Sequence, residues 1–256
     1  MITIIDYGVG NLFSLSSSLS YLGLENKVSR DPEDLRKAEH IILPGVGAYG
    51  DAIAKLRGSG MAEPLLEEAR AGKPIMGICL GMQLLFDKSY EYGKHRGLGL
   101  IPGVMADLRE DIPANLKVPH MGWNSLHLTE KGKKHPLFKY SKEGDYVYFV
   151  HSFYGKDCEE SLLATSEYGI PVTASAANGN VMGCQFHPEK SSDVGLQILR
   201  NFAAIGKEEN GYVYEKNHSM SGCKERACRE RRQLRGNPGC GGSGRDGGIL
   251  QPERRG

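Results

Sequence analysis

Four short aliphatic runs, Met1 to Asp6, Leu24 to Val28, His40 to Leu43 and Pro74 to Ile78, alternate with helical patterns at the start of this chain. The last two runs carry almost no polar interruption, as strands buried on both faces do. Between the runs, Leu12, Leu15, Leu19 and Leu22 recur at helical spacing behind Asn11, a residue type that caps helices, and Met61 to Ala71 reads as a second helix ended by Gly72. Strand, helix, strand, helix at this rhythm commits the chain to crossover connections and a mainly parallel sheet with helices on its faces. From Val104 to Phe186 the texture becomes strand-rich, with segments at Asn124 to Leu128, Asp145 to Val150, Leu162 to Thr165, Val172 to Ala176 and Val181 to Phe186. A last helix, Asp193 to Ile205, sets Val194, Ile198 and Phe202 on one side. No internal repeat is visible.

How far that α/β body extends is a question of composition. From Lys207 to Gly256 the chain has 11 Lys+Arg, 7 Asp+Glu and 10 Gly, and after Tyr214 only Leu234, Ile249 and Leu250 represent the large aliphatic group. Such a stretch buries too little apolar surface to offset its ordering entropy, so a disordered tail is expected at 207–256 behind one domain at 1–206. Cys223, Cys228 and Cys240 in that tail match no zinc spacing, and Cys79, Cys158 and Cys184 are spread as reduced thiols would be. The whole chain balances 32 basic against 31 acidic residues, which gives no global field for nucleic acid or an anionic membrane surface. No apolar run approaches the ~18 residues of a bilayer span and the start lacks the pattern of a signal peptide, so a cytoplasmic protein is expected.

The segment Gly77-Ile78-Cys79-Leu80-Gly81 joins a buried strand directly to a helix carrying Leu84 and Leu85. Cys79 must then occupy a tight turn, and glycines two residues to either side remove the Cβ atoms that would collide there. This is the arrangement of a nucleophile elbow with a thiol in place of a hydroxyl. The thiol would face the positive end of the helix, which favours the thiolate, and the Leu80 N–H would be available to an oxyanion. A buried structural cysteine with packing glycines is the plain alternative for this pattern taken alone.

A second segment bears on that choice. The apolar run Val181 to Phe186 stops at His187-Pro188-Glu189, where Pro188 ends the strand ladder and leaves Glu189 within reach of the His187 ring. A thiol, an imidazole to carry its proton and a carboxylate to fix the tautomer make a Cys-His-Glu triad by role. A third segment, Leu43-Pro44-Gly45-Val46-Gly47-Ala48, opens a strand end into a glycine-rich turn. Without a following Lys-Ser/Thr it is not a phosphate loop, and it fits an oxyanion strand better. Glycines around Val46 would let the Gly45–Val46 peptide turn over at low cost.

Gly77-Ile78-Cys79-Leu80-Gly81-Met82-Gln83, Pro44-Gly45-Val46-Gly47 and Phe186-His187-Pro188-Glu189 resemble the three signatures of the class I, triad-type glutamine amidotransferases. Ile5-Asp6-Tyr7-Gly8-Val9-Gly10-Asn11, Pro119 to Asn124, Tyr148 to Tyr154 and Lys190-Ser191-Ser192 narrow the resemblance to the glutaminase subunits of imidazole glycerol phosphate synthases, from residue 1 to about 205. The resemblance implies a flavodoxin-like fold with a central, mainly parallel sheet and an added β-rich segment. It implies glutamine hydrolysis with Cys79 as nucleophile, His187 as proton carrier and Glu189 as its orienter. Val46 and Leu80 would supply the oxyanion hole, while Gly47, Gln83, His151 and Ser152 would hold the substrate. Ammonia would pass to a cyclase subunit, the partner in a heterodimer, across a surface including Asn11, Trp123, Tyr148 and Lys190. Neither cofactor nor metal is implied. Taken singly, Asn11 reads equally as a helix cap, Trp123 and Tyr148 as core aromatics and Lys190 as a solvated charge. An amidotransferase serving another acceptor and a cysteine peptidase or hydrolase of the same fold remain the rival assignments.

Overall fold

Aliphatic strands and amphipathic helices do alternate through the first part of the computed structural model, which describes residues 1–206. The tail, with its three cysteines and the expectation of disorder, lies outside the described residues. In order come β1 (Ile2–Ile5), α1 (Leu12–Tyr21), β2 (Asn26–Ser29), α2 (Pro32–Lys37), β3 (His40–Leu43), α3 (Tyr49–Gly58), α4 (Ala62–Arg70), β4 (Ile75–Ile78) and α5 (Leu80–Leu85). The strand-rich part follows as β5 (Phe86–Ser89), β6 (His95–Arg96), β7 (Ile101–Asp107), β8 (His120–Ser125), β9 (His127–Leu128), α6 (Glu130–Lys134), β10 (Tyr146–His151) and β11 (Phe153–Lys156). Then β12 (Leu162–Glu167), β13 (Pro171–Asn178) and β14 (Val181–Cys184) lead to α7 (Ser192–Ala204).

The main sheet has eight strands in the order β2-β1-β3-β4-β14-β13-β12-β9. The first five run parallel, and β13, β12 and β9 extend the sheet antiparallel. Because successive strand residues point to opposite faces, β1 and β3 feed two cores at once. Ile4 and Ile42 join Leu15 and Leu19 of α1 and Ile198 and Phe202 of α7 on one face. Ile5 and Leu43 join Leu56 of α3, Leu65 of α4 and Leu84 of α5 on the other. Interior strands β1, β3 and β4 are buried at every position, whereas edge strand β2 exposes Lys27 and Val28, which explains its more polar sequence. Two smaller sheets complete the strand-rich part, the ribbon β10-β8 and the group β11-β7-β5-β6.

Several boundaries differ from the sequence expectation, each for a local reason. Asn11 stands at the α1 N-cap position but its side chain makes no capping hydrogen bond. The second strand begins at Asn26 instead of Leu24, because Gly23 turns at φ +71° and the Leu24 N–H closes α1 on the Leu19 carbonyl at 2.9 Å. Helix α2 has no hydrophobic periodicity to announce it; Asp31 caps it by accepting from the Glu33 N–H, with Pro32 in the first turn. Strand β7 is interrupted in sequence by Pro102 and Gly103, and β11 has only four residues, so neither carries a readable alternation.

Candidate active site

Only Cys79 separates β4 from α5, and its backbone takes φ +54°, a region that side chains other than glycine rarely occupy. The turn is held because the Cys79 N–H donates to the Cys184 carbonyl of the neighbouring β14 at 2.8 Å. A Cβ on Gly77 would lie 2.6 Å from the Met82 backbone, and one on Gly81 would land on the Leu43 carbonyl oxygen. Both glycines are therefore required by space, as the elbow pattern demands. Burial pushes the thiols of Cys158 and Cys184 up, as befits cysteines that only pack.

The neighbouring strand β14 delivers His187 beside this sulfur. Its Nδ1 is 2.8 Å from Glu189 Oε1, and both side chains are 3% exposed. Burial by itself would depress the imidazole, but the adjoining Cys79 sulfur and the Glu189 carboxylate more than offset it and hold the pKa well above the ordinary value. The site therefore favours the protonated imidazole. The backbone is fixed as well: the His187 N–H donates to the Tyr148 carbonyl at 2.9 Å, and the Ser191 hydroxyl donates to the His187 carbonyl at 2.6 Å.

These side chains open onto a cleft of about 310 Å³ whose lining includes Val46, Gly47, Cys79, Leu80, Gln83 and His187. Across it lie Val150, His151, Ser152 and Phe153, so the expected substrate-holding and oxyanion residues share one cavity. In the glycine-rich turn, Gly47 has φ +95° with open space around its Cα, whereas Gly45 is a glycine for room: a Cβ there would lie 2.5 Å from the Gly81 nitrogen. Tyr7, just beyond β1, braces this turn by donating to the Pro44 carbonyl at 2.8 Å. The His151 ring is turned inward; its Nδ1 donates to the Phe153 carbonyl at 2.9 Å and its Nε2 accepts from His120 at 3.0 Å. Residues 150–153 border the cleft.

Glu91 also lines the cleft, and no sequence pattern had marked it. Burial raises its pKa while the Tyr49 N–H at the start of α3 donates to it at 2.6 Å. Its only sequence signal is an acidic residue set between Tyr90 and Tyr92 in a loop, which is too common a pattern to read. Of the four other residues singled out from the sequence, three are linked by ring contacts. Trp123 and Tyr148 face each other across the β8–β10 ribbon with ring centroids 6.2 Å apart, and Lys190 Nζ stands 6.0 Å from the Tyr148 ring. Trp123 is 52% exposed, so it is not a core aromatic. Asn11 is half-buried at the start of α1. No group of residues able to hold a metal ion occurs among the described residues.

The chain is 47% identical over 208 residues to the imidazole glycerol phosphate synthase subunit HisH of Wolinella succinogenes, covering 80% of this chain and 100% of that protein. It is 49% identical over 208 residues to the subunit of the same name from Caldanaerobacter subterraneus subsp. tengcongensis, covering 81% and 99%. Among solved structures, PurLQS from Thermotoga maritima superposes with a TM-score of 0.61 at 21% identity, covering 79% of this chain and 96% of that one. A crystal structure of a glutamine amidotransferase gives 0.61 at 18% identity, covering 79% and 100%. At that identity the two structures bear on the fold alone. A model of the family described as "Glutamine amidotransferase class-I" matches residues 3–205, which is the whole body built around Cys79, His187 and Glu189, and the chain belongs to that family.

Proposed function

We propose that this chain is the glutaminase subunit of an imidazole glycerol phosphate synthase, acting in histidine biosynthesis with a cyclase subunit as partner. The observation that carries the reading is the convergence of Cys79, on its left-handed elbow, with a His187 whose Nδ1 is bonded to Glu189 at 2.8 Å. Near 47% identity over the full length of synthase subunits supports the choice of pathway. The cleft volume suits an amino acid better than an extended peptide.

In this mechanism the Cys79 sulfur attacks the side-chain amide carbon of L-glutamine, and the carbonyl oxygen gathers charge facing the Val46 and Leu80 amides. His187 gives its proton to the departing nitrogen, releasing ammonia and leaving a glutamyl thioester on Cys79. A water then loses a proton to His187 and attacks the thioester, returning glutamate and the free thiol. Glu189 holds the ring in one orientation throughout. Gly47, Gln83 and the backbone at His151 and Ser152 position the substrate, and the half-buried Glu91 carboxylate faces its α-ammonium group. Ammonia leaves toward the surface formed by Trp123, Tyr148, Lys190 and Asn11, where the cyclase docks.

The test separates making ammonia from using it. With the partner present, Cys79→Ala is expected to abolish glutamine-dependent synthesis and to retain synthesis from added ammonium salt. Loss of both activities would assign Cys79 to the fold or the partner contact instead.

A further inference from the structure

Once the Cys79 proton has moved to His187, the sulfur carries charge in a nearly closed site and needs donors around it. The Val150 carbonyl, 3.8 Å from the sulfur, can serve only the neutral thiol, since a carbonyl oxygen accepts and never donates. A second polar group lies at the same distance: Gln185 Nε2 is 3.8 Å from the Cys79 sulfur. Gln185 follows β14 two residues before His187, is fully buried, and is anchored by its own N–H on the Ala174 carbonyl at 2.9 Å.

The two ends of a buried amide are chemically opposite, and here the surroundings decide which end faces the sulfur. Gln83 approaches the Phe153 carbonyl at 3.4 Å, and that carbonyl can only accept, so Gln83 must present its NH₂ there. The same NH₂ lies 3.0 Å from Gln185 and must meet an oxygen, which turns the Gln185 NH₂ toward Cys79. We propose that Gln185 is a further catalytic residue of this chain: its side-chain N–H donates to the Cys79 sulfur and stabilises the thiolate, and Gln83 fixes the amide in that sense. The proposal rests on Cys79 being the nucleophile. It gives the thiolate a neutral donor beside His187, both before attack on the amide carbon and again when the thioester carbon–sulfur bond breaks.

The experiment follows iodoacetamide alkylation of Cys79, identified by peptide mass, across roughly pH 5 to 10 in the full chain and in Gln185→Met. Met preserves the volume and removes both the donor and the acceptor. The alkylation profile of the variant is expected to move to higher pH. Turnover number for glutamine should fall about ten-fold, the lower end of the effect of one charge-assisted bond, with a smaller change in KM. A buried amide that only packs would alter the melting temperature and leave the profile in place, and that result overturns the proposal. Should Gln185→Met not fold, the wild-type Gln185 side-chain amide resonances are followed by NMR over the same pH range. They should shift together with the alkylation profile, and their invariance overturns the proposal. If alkylating wild-type Cys79 leaves glutamine hydrolysis intact, the nucleophile assignment itself fails, which is a different outcome from an unmoved profile.

Discussion

Three buried histidines near the cleft titrate in opposite senses, although the segments that carry them, β8, β10 and the stretch just after β14, are close neighbours in the fold. His187 is raised well above the ordinary value by its neighbours Cys79 and Glu189. His151 is driven down to about 3, first by burial and then by its neighbours His120 and His187, and burial takes His120 down to about 4. The hydrogen bonds agree with neutral rings: His151 donates to the Phe153 carbonyl, His120 donates to His151, and Asn124 donates to His120 Nε2 at 3.2 Å. As pH falls below the ordinary histidine value near 6.5, the unfolded chain binds protons at both positions and the native chain does not. Stability should therefore decline between about pH 6.5 and 4, by up to about 1.4 kcal/mol per pH unit for each histidine. Urea unfolding at a series of pH values checks this, and His120→Gln should flatten the slope. His187 contributes with the other sign: its share is complete below pH 6.5 and is lost as pH rises through its elevated pKa.

At the scale of elements, the β4-Cys79-α5 junction works because the connection has no slack. Gly81→Ala places a methyl group against the Leu43 carbonyl, where both sides are backbone and neither can yield. A loss of about 3 kcal/mol in unfolding free energy is expected by denaturant titration, together with loss of glutaminase activity. The β8–β10 ribbon behaves differently because only one of its faces is covered. Val147, Phe149 and His151 point inward, while Met121, Trp123 and Tyr146 on the other face are each more than half exposed. Trp123→Ala should cost about 1 kcal/mol of stability or less, the scale of one cross-strand pair. If this ribbon is the cyclase-docking face, the same change should weaken partner affinity by at least about 2 kcal/mol in a calorimetric titration. The ribbon also reaches the chemistry, since the Tyr148 carbonyl accepts the His187 N–H and the Tyr148 N–H donates to Ser191 at 2.9 Å.

For the whole chain, α7 closes the sheet with Ile198 and Phe202 fully buried, and the HisH protein of Wolinella succinogenes aligns over its entire length with 80% of this chain. A chain ended after Gly206 is expected to keep its melting temperature and its glutamine turnover, checked by calorimetry and a glutamate assay. Strand-helix alternation by itself determined the parallel half of the fold, because crossover sterics and two-faced burial leave few other ways to place such runs. The residues Cys79, His187 and Glu189 were legible too, since an elbow and a strand end are local geometries written in glycine and proline. Glu91 and Gln185 were not legible: Glu91 reaches the cleft and Gln185 the Cys79 sulfur through contacts made by segments distant in sequence. The orientation of Gln185 depends on Gln83 and Phe153, and the neutrality of His151 depends on burial by several strands. Local chain geometry is encoded locally, whereas dielectric environment and the direction of a hydrogen bond exist only after the sheets have packed, and so the tertiary structure alone decided them.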